Sequence, residues 1–196
     1  MVILSITLRI WTLNLGRNKD IIVRRLHIGG HVRLPGWEVI DANPGAWVDH
    51  VGNAKDLSRF GTGTFSEVYA SHVLEHFDYK DELLATLKEW YRVLSPGGML
   101  HISVPDMDIL ARLFLDRQLT IEDRFKVMRM IFGGHVDRYD YHVVGLNEEF
   151  LRRFLEAVGF AQIARVPDFG ICKDTSVWLF NGTPISLNVT ALKARA

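Results

Sequence analysis

The stretch IIVRRLHIGGHVRLPGWEVID, Ile21 to Asp41, decides how this chain folds. Its opening run is apolar apart from Arg24 and Arg25, and the pair Gly29 and Gly30 halts it. After Leu34, Pro35 and Gly36 comes a second short run, WEVIDA, which carries Asp41 near its end. Short runs rich in Val and Ile, bounded by Gly and Pro, read as strands. Working outward, strand-like and helix-like segments alternate, which predicts helices packed on a mostly parallel sheet. A polar loop holding Asp49, Asn53 and Asp56 leads to FSEVYAS, a further strand stopping at Ser71. Leu83, Leu84, Leu87, Trp90, Val93 and Leu94 then recur at helical spacing, and Ser95, Pro96, Gly97 and Gly98 end that helix. MLHISVP follows as a buried strand.

Beyond it, DMDILARLFL reads as a short helix, and Thr120 with Asp123 marks the start of another, TIEDRFKVMRMIF, which Gly133 and Gly134 stop. Two helices inserted between strands make a natural cover, and the glycine pair would let the loop after it change its path. That loop, HVDRYDYHVV, concentrates His135, Asp137, Tyr139, Asp140, Tyr141 and His142. Asn147 caps a last helix, EEFLRRFLEAV, closed by Gly159, and FAQIARV and ISLNVTAL complete the strands.

Composition narrows the partners. With 196 residues, 48% of them hydrophobic and 23% charged, the chain holds one ordinary core. Acidic and basic residues balance at 23 each, so the concentrated positive field that nucleic acid or anionic lipid requires is not expected. A small or neutral partner fits better, with no nucleic acid and no membrane. The single cysteine, Cys172, forms no internal disulfide, which suits a reducing, cytoplasmic setting. In MVILSITLRIWTLNLG the apolar residues alternate with Ser5, Thr7 and Arg9. That is the period of a half-buried strand, so residues 1–21 are expected to add an edge strand or contact a second copy in a homo-oligomer.

In open parallel sheets ligands bind at the carboxyl ends of the strands. Gly29 and Gly30 there let a ligand approach the backbone, and exposed amides suit a carboxylate or phosphate. Asp41 ends the second strand, where a carboxylate accepts from both hydroxyls of a ribose, and Asp56 in the third crossing could take an adenine amino group.

The pieces LHIGGH, Leu34 to Trp37, VIDANPG, Ser71 to Phe77, Arg92 to Gly98 and Ile102 to Asp106 stand in one order. In this the chain resembles the class I S-adenosylmethionine-dependent methyltransferases, and more closely a methyltransferase type 11-like branch of small-molecule enzymes, over roughly residues 22 to 193. The resemblance implies a Rossmann-like, mostly parallel seven-stranded sheet with helices on both faces and a helical cover inserted after the fifth strand, in a domain spanning 22–196. S-adenosylmethionine is then the implied cofactor. His27, Gly29 and Gly30 would border its methionine part, Asp41 the ribose, Asp56 with Leu57 the adenine, and Ser71 with His72 the amino group and sulfonium. The family turn usually has glycine where His31 stands, a departure that narrows the site or redirects the loop.

Methyl transfer needs an acceptor held in line and, for a hydroxyl, loss of a proton. His76, His135 and His142 are candidate bases, and Asp106 at the end of the fifth strand could orient or deprotonate an acceptor. Tyr139 and Tyr141 either line an acceptor pocket or anchor the loop. The acceptor expected is a small molecule, such as a sugar or natural-product intermediate. His72 to His76 also fits H-x-x-E-H, a zinc hydrolase signature, but the string begins directly after a strand rather than inside a helix, so no metal is expected. Two other readings are a non-catalytic S-adenosylmethionine-binding protein and a nicotinamide-dependent oxidoreductase. The second lacks its G-x-G-x-x-G turn.

Overall fold

In a computed structural model that describes residues 23–195, the chain runs through β1 (Arg25–Ile28), β2 (Glu38–Asp41), β3 (His50–Val51), β4 (Phe65–Ser71), α1 (Glu82–Val93), β5 (Leu94–Pro105), α2 (Met107–Leu115), α3 (Ile121–Phe132), α4 (Glu148–Val158), β6 (Phe160–Arg165), β7 (Leu179–Phe180), β8 (Thr183–Pro184) and β9 (Ser186–Lys193). Seven strands form one sheet in the order β3-β2-β1-β4-β5-β9-β6, and β9 runs antiparallel to both neighbours. β7 and β8 form a separate hairpin. Residues 1–21, with their expected edge strand and second-copy contact, lie outside the described residues.

Strand alternation gives the sheet two unlike faces. Register aligns Leu26, Val68, Leu100 and Ala191 in one row and Ile28, Ala70, Ile102 and Val189 in the next, all buried. Against these rows pack α1, through Leu83, Leu87 and Trp90, and α4, through Leu151 and Leu155. The opposite face carries His27, Tyr69 and His101 in one row and Ser71, Ser103 and Asn188 in another. Among the described residues no α-helix covers these rows. Trp37 and Phe169 pack edge-on to Tyr69, and Asp174 accepts the Tyr69 hydroxyl proton at 2.6 Å. This row of histidine, tyrosine and serine is met by loop residues, aromatic and polar, rather than by an apolar helix stripe.

Local signals placed most elements well. Thr120 accepts from the Asp123 amide and Asn147 from the Phe150 amide, capping α3 and α4, and Gly159 closes α4 in the left-handed conformation. β5, however, begins at Leu94, and Ser95 to Gly98 form an irregularity within it rather than a connecting loop. Helices α2 and α3 pack on each other and share a small apolar cluster, Leu110 and Val127, with Phe180 and Ile185 of the hairpin region. Among the described residues no helix is long and apolar enough to cross a membrane.

Two glycines test this packing. A Cβ at Gly98 would stand 2.8 Å from the Ser95 carbonyl oxygen and 2.9 Å from that of Ser66, both backbone atoms, whereas Gly182, at φ 79°, meets nothing within 4 Å. Gly98→Ala is expected to cost about 3 kcal/mol from overpacking and Gly182→Ala about 1 kcal/mol from its positive φ. Urea unfolding of the two variants measures the difference, and equal costs would contradict the tight passage at Gly98.

Candidate active site

The carboxyl ends of β1, β2 and β4 open on a cavity of about 630 Å³. Gly29 and His31 after β1, Asp41 at the end of β2, Asn53 and Ala54 beyond β3, and His72, Val73 and His76 after β4 line it. Residues 136–143 close the far side. Gly29 has φ 71°, and a Cβ there would come within 2.5 Å of the Val73 side chain, so glycine is required where the turn passes β4. Asp41 accepts from the Asn43 amide at 2.7 Å and Asn53 from the Lys55 amide at 3.0 Å, so each carboxyl or amide oxygen fixes its own turn while the side chain borders the cavity. His31 stands exposed in the lining.

A second cavity, about 560 Å³, lies between α3, the loop after it and the β7–β8 hairpin. Arg129, Met130, Trp178, Phe180 and Ile185 contribute to its walls. His72, Asp140, His142 and Thr175 belong to both cavities. These four residues form the partition between them.

At that partition polar groups are buried together. His72, held at φ 54°, directly follows β4, and the turn of 3-10 helix Leu74–His76 places Glu75 inward. Glu75 is 1% exposed and neither carboxylate oxygen has a hydrogen-bond partner. Burial, opposed by a smaller lowering from its own backbone amide, pushes its carboxyl up to about 8. His72 and His142 are pushed down to about 3 and about 4, chiefly by burial and then by neighbouring histidines, so both are neutral near pH 7. The Val143 amide donates to the Glu75 carbonyl at 2.9 Å, tying the long loop to this turn.

The structure corrects several expectations about individual residues. His27 does not border the cavity: it is buried on the sheet face opposite α1 and α4, with its ring centroid 4.8 Å from that of Tyr69, and Gly30 lies over that ring. Ser71 turns onto the same face, beside Ser103. Asp56 is exposed and accepts from the Ser58 amide at 3.1 Å, while Leu57 is fully buried in the core. Asn53, read in the sequence only as part of the polar loop, lines the cavity from this turn. Asp106 caps α2 through the Asp108 and Ile109 amides, pairs with Arg165 at 2.7 Å and lines neither cavity. His135 stacks on Tyr141 at 4.0 Å, bonds the Phe132 carbonyl oxygen and lines neither cavity. Gly133, at φ 90°, is required by a close passage, since a Cβ there would run into the Asp140 carbonyl oxygen. Gly29, Asp41, His72, His76 and His142 are the expected residues that the fold brings together, and the hairpin walls of the second cavity went unread.

A family model described as a methyltransferase domain matches residues 40–102, the part from β2 through most of β5. A search of curated proteins gives no match. Among solved structures, the CurJ carbon methyltransferase has 19% identity and a TM-score of 0.51, covering 88% of this chain and 48% of its own. A SAM-dependent methyltransferase from Archaeoglobus fulgidus has 16% identity and a TM-score of 0.53, covering 87% and 86%. The Burkholderia thailandensis 1,6-didemethyltoxoflavin-N1-methyltransferase, with 1,6-didemethyltoxoflavin and S-adenosylhomocysteine bound, has 17% identity and a TM-score of 0.53, covering 87% and 71%. The chain thus spans about half the length of the first of these structures. The fold is that of the class I methyltransferases, as the sequence pieces from LHIGGH to ISVPD implied.

Asp106 separates a structural from a chemical role. Asp106→Ala removes a helix cap and a pair whose Arg165 partner is largely solvated, and is expected to cost about 1–2 kcal/mol of stability. Chemical denaturation measures it. A variant of unchanged stability that had lost turnover would return Asp106 to the chemistry.

Proposed function

We propose that the protein is an S-adenosylmethionine-dependent methyltransferase that holds its cofactor in the 630 Å³ cavity and a small-molecule acceptor in the 560 Å³ cavity. One observation carries this reading: the two cavities share a wall made by His72 and His142, so a methyl group at the end of the first would face a molecule seated in the second. Asp41 receives the ribose hydroxyls, Asn53 the adenine edge, and Gly29 with His72 and Val73 border the methionine part. On the acceptor side stands His142, whose lone pair accepts or steers the proton of an acceptor hydroxyl, while His76 borders the cofactor cavity close to it. Apolar Met130, Trp178, Phe180 and Ile185 beside Arg129 suit an organic molecule with an apolar body and one polar or anionic group, and a volume of this order is what small ligands occupy. The methyltransferase domain comprises residues 22–196, and the single cysteine fits a cytoplasmic setting.

Against a nicotinamide cofactor stands the segment 29–37, which contains no helix. A pyrophosphate would find no helix N-terminus after β1, where dinucleotide folds provide one. A protein that binds S-adenosylmethionine without chemistry would use the first cavity and leave the second idle.

Calorimetry with S-adenosylhomocysteine, S-adenosylmethionine and NAD tests the reading. The first two are expected to bind and the third not. Asp41→Ala should weaken S-adenosylhomocysteine about 10- to 100-fold, the loss of a charged acceptor from buried hydroxyls. Unchanged affinity in the folded variant would remove Asp41 from the site, and absence of binding to the unaltered protein would end the proposal.

A further inference from the structure

The partition between the cavities has a property that methyl transfer does not use. Glu75 carries two buried carboxylate oxygens with no partner, which is costly unless something else satisfies them. Around it, one ring nitrogen each of His76 and His142 and one Glu75 oxygen lie within 4.8 Å of one another. The Glu75 Oε1 atom is 3.4 Å from His72 Nδ1 and 3.9 Å from His142 Nε2. In a tetrahedral site with bonds of about 2.0–2.1 Å, neighbouring ligand atoms stand roughly 3.4 Å apart. Small side-chain rotations would close the set.

The hydrogen bonds of the other ring nitrogens fix where the lone pairs are. His142 Nδ1 is 3.0 Å from the Met130 carbonyl oxygen and His76 Nδ1 is 3.0 Å from that of Tyr141. A carbonyl only accepts, so both Nδ1 atoms carry hydrogen and both Nε2 atoms are free. His72 Nε2 lies 2.9 Å from Ser186 Oγ, whose own hydrogen goes to the Thr175 carbonyl oxygen at 2.9 Å, so His72 donates there and its Nδ1 is free. Three imidazoles, each oriented by a bond from its far nitrogen, turn their remaining lone-pair atoms free beside one buried carboxylate. Metal-ligating histidines are held in this way.

We propose that Glu75, His76 and His142, joined by His72, form a binding site for a divalent transition metal ion such as zinc. Imidazole nitrogens with a single carboxylate select an ion of this borderline kind over magnesium or calcium, which prefer all-oxygen sets. This departs from the expectation of a metal-free site. It also differs from the zinc hydrolase reading: residues 74–76 form a single 3-10 turn rather than a helix, Glu75 is a ligand instead of a base, and the remaining imidazole comes from the loop after α3. Metal binding stands independently of methyl transfer. If that reading holds, the ion sits in the partition and takes up an acceptor oxygen, nitrogen or sulfur through an open coordination position, lowering the energy of its deprotonated form.

The test uses the purified, chelator-treated protein. Zinc is titrated by calorimetry, and cobalt(II) is added to record its visible absorption. One equivalent of each is expected to bind, cobalt with the intense bands of a four- or five-coordinate site. Glu75→Gln and His142→Asn should each weaken zinc by at least tenfold, with fold verified by circular dichroism. Failure of the unaltered protein to bind one equivalent overturns the proposal without any variant, and so does unchanged affinity in both folded variants. S-adenosylhomocysteine is titrated in parallel: zinc bound without it leaves this inference standing and removes the methyltransferase reading, and the reverse result does the opposite.

Discussion

Everything at the candidate site depends on β1 pairing in parallel with β2 on one side and with β4 on the other. Parallel neighbours force each connection to cross back over the sheet, so the carboxyl ends of all three strands emerge at one edge. There the chain leaves β1 toward β2 in one direction, while β4 lies in the other, and the turns part to leave a crevice. Gly29, Asp41 and His72 are brought to that crevice because each ends or follows a strand of this trio, although 43 positions separate the first from the last. Gly29 tightens the arrangement, its amide donating to the Ile40 carbonyl oxygen at 2.9 Å and its bare Cα letting Val73 pass.

The same pleat that builds the core builds the polar lining. Rows such as Leu26, Val68, Leu100 and Ala191 bury apolar area against α1 and α4, supplying the hydrophobic stabilisation. One residue out of phase, the other rows place His27, Tyr69, His101 and Asn188 on the opposite face, where Tyr69 and Asn188 find polar partners in segment 166–178. Asn188 donates to the Pro167 and Ser176 carbonyl oxygens, and Tyr69 to Asp174. Those bonds pin the C-terminal loop across the sheet and so deliver Thr175, Ser186 and the β7–β8 hairpin to the second cavity.

This explains which parts of the protein were legible in the sequence. Periodicity, caps and stop signals depend on neighbours within a few residues, and they located β1, β2, β4, α1, α3 and α4. Asp41 and His72 were legible too, because a residue at a strand's carboxyl end has little choice of direction. Asp56 was not, since it and Asn53 are both short polar residues in one turn, each bonding its own backbone two positions on, and only the path of that turn decides which faces inward. Asp106 was misread for a related reason: a carboxylate at the end of β5 is also at the start of α2, and two amides there claimed it. Nothing local marks Trp178 and Phe180 as cavity walls. Their place follows from the polar bonds across the sheet.

The cluster at the partition joins three parts of the chain that are remote in sequence. His76 and His142 bond backbone carbonyls at Tyr141 and Met130, and His72 bonds Ser186, so the turn after β4, the loop after α3 and the start of β9 are held by the far nitrogens of the same rings. Orienting the rings and closing the loop are therefore one structural event. The near sides of the rings and both oxygens of Glu75 gain nothing from it, and burying a carboxyl without a partner opposes folding. A core selected for stability alone would place an apolar side chain at position 75, where Leu74 beside it is buried without penalty. Strain points the same way, since His72 holds a left-handed backbone that a β-carbon disfavours. Unsatisfied polarity at Glu75 and backbone strain at His72 coincide where the two cavities meet, and a ligand bound there would repay both.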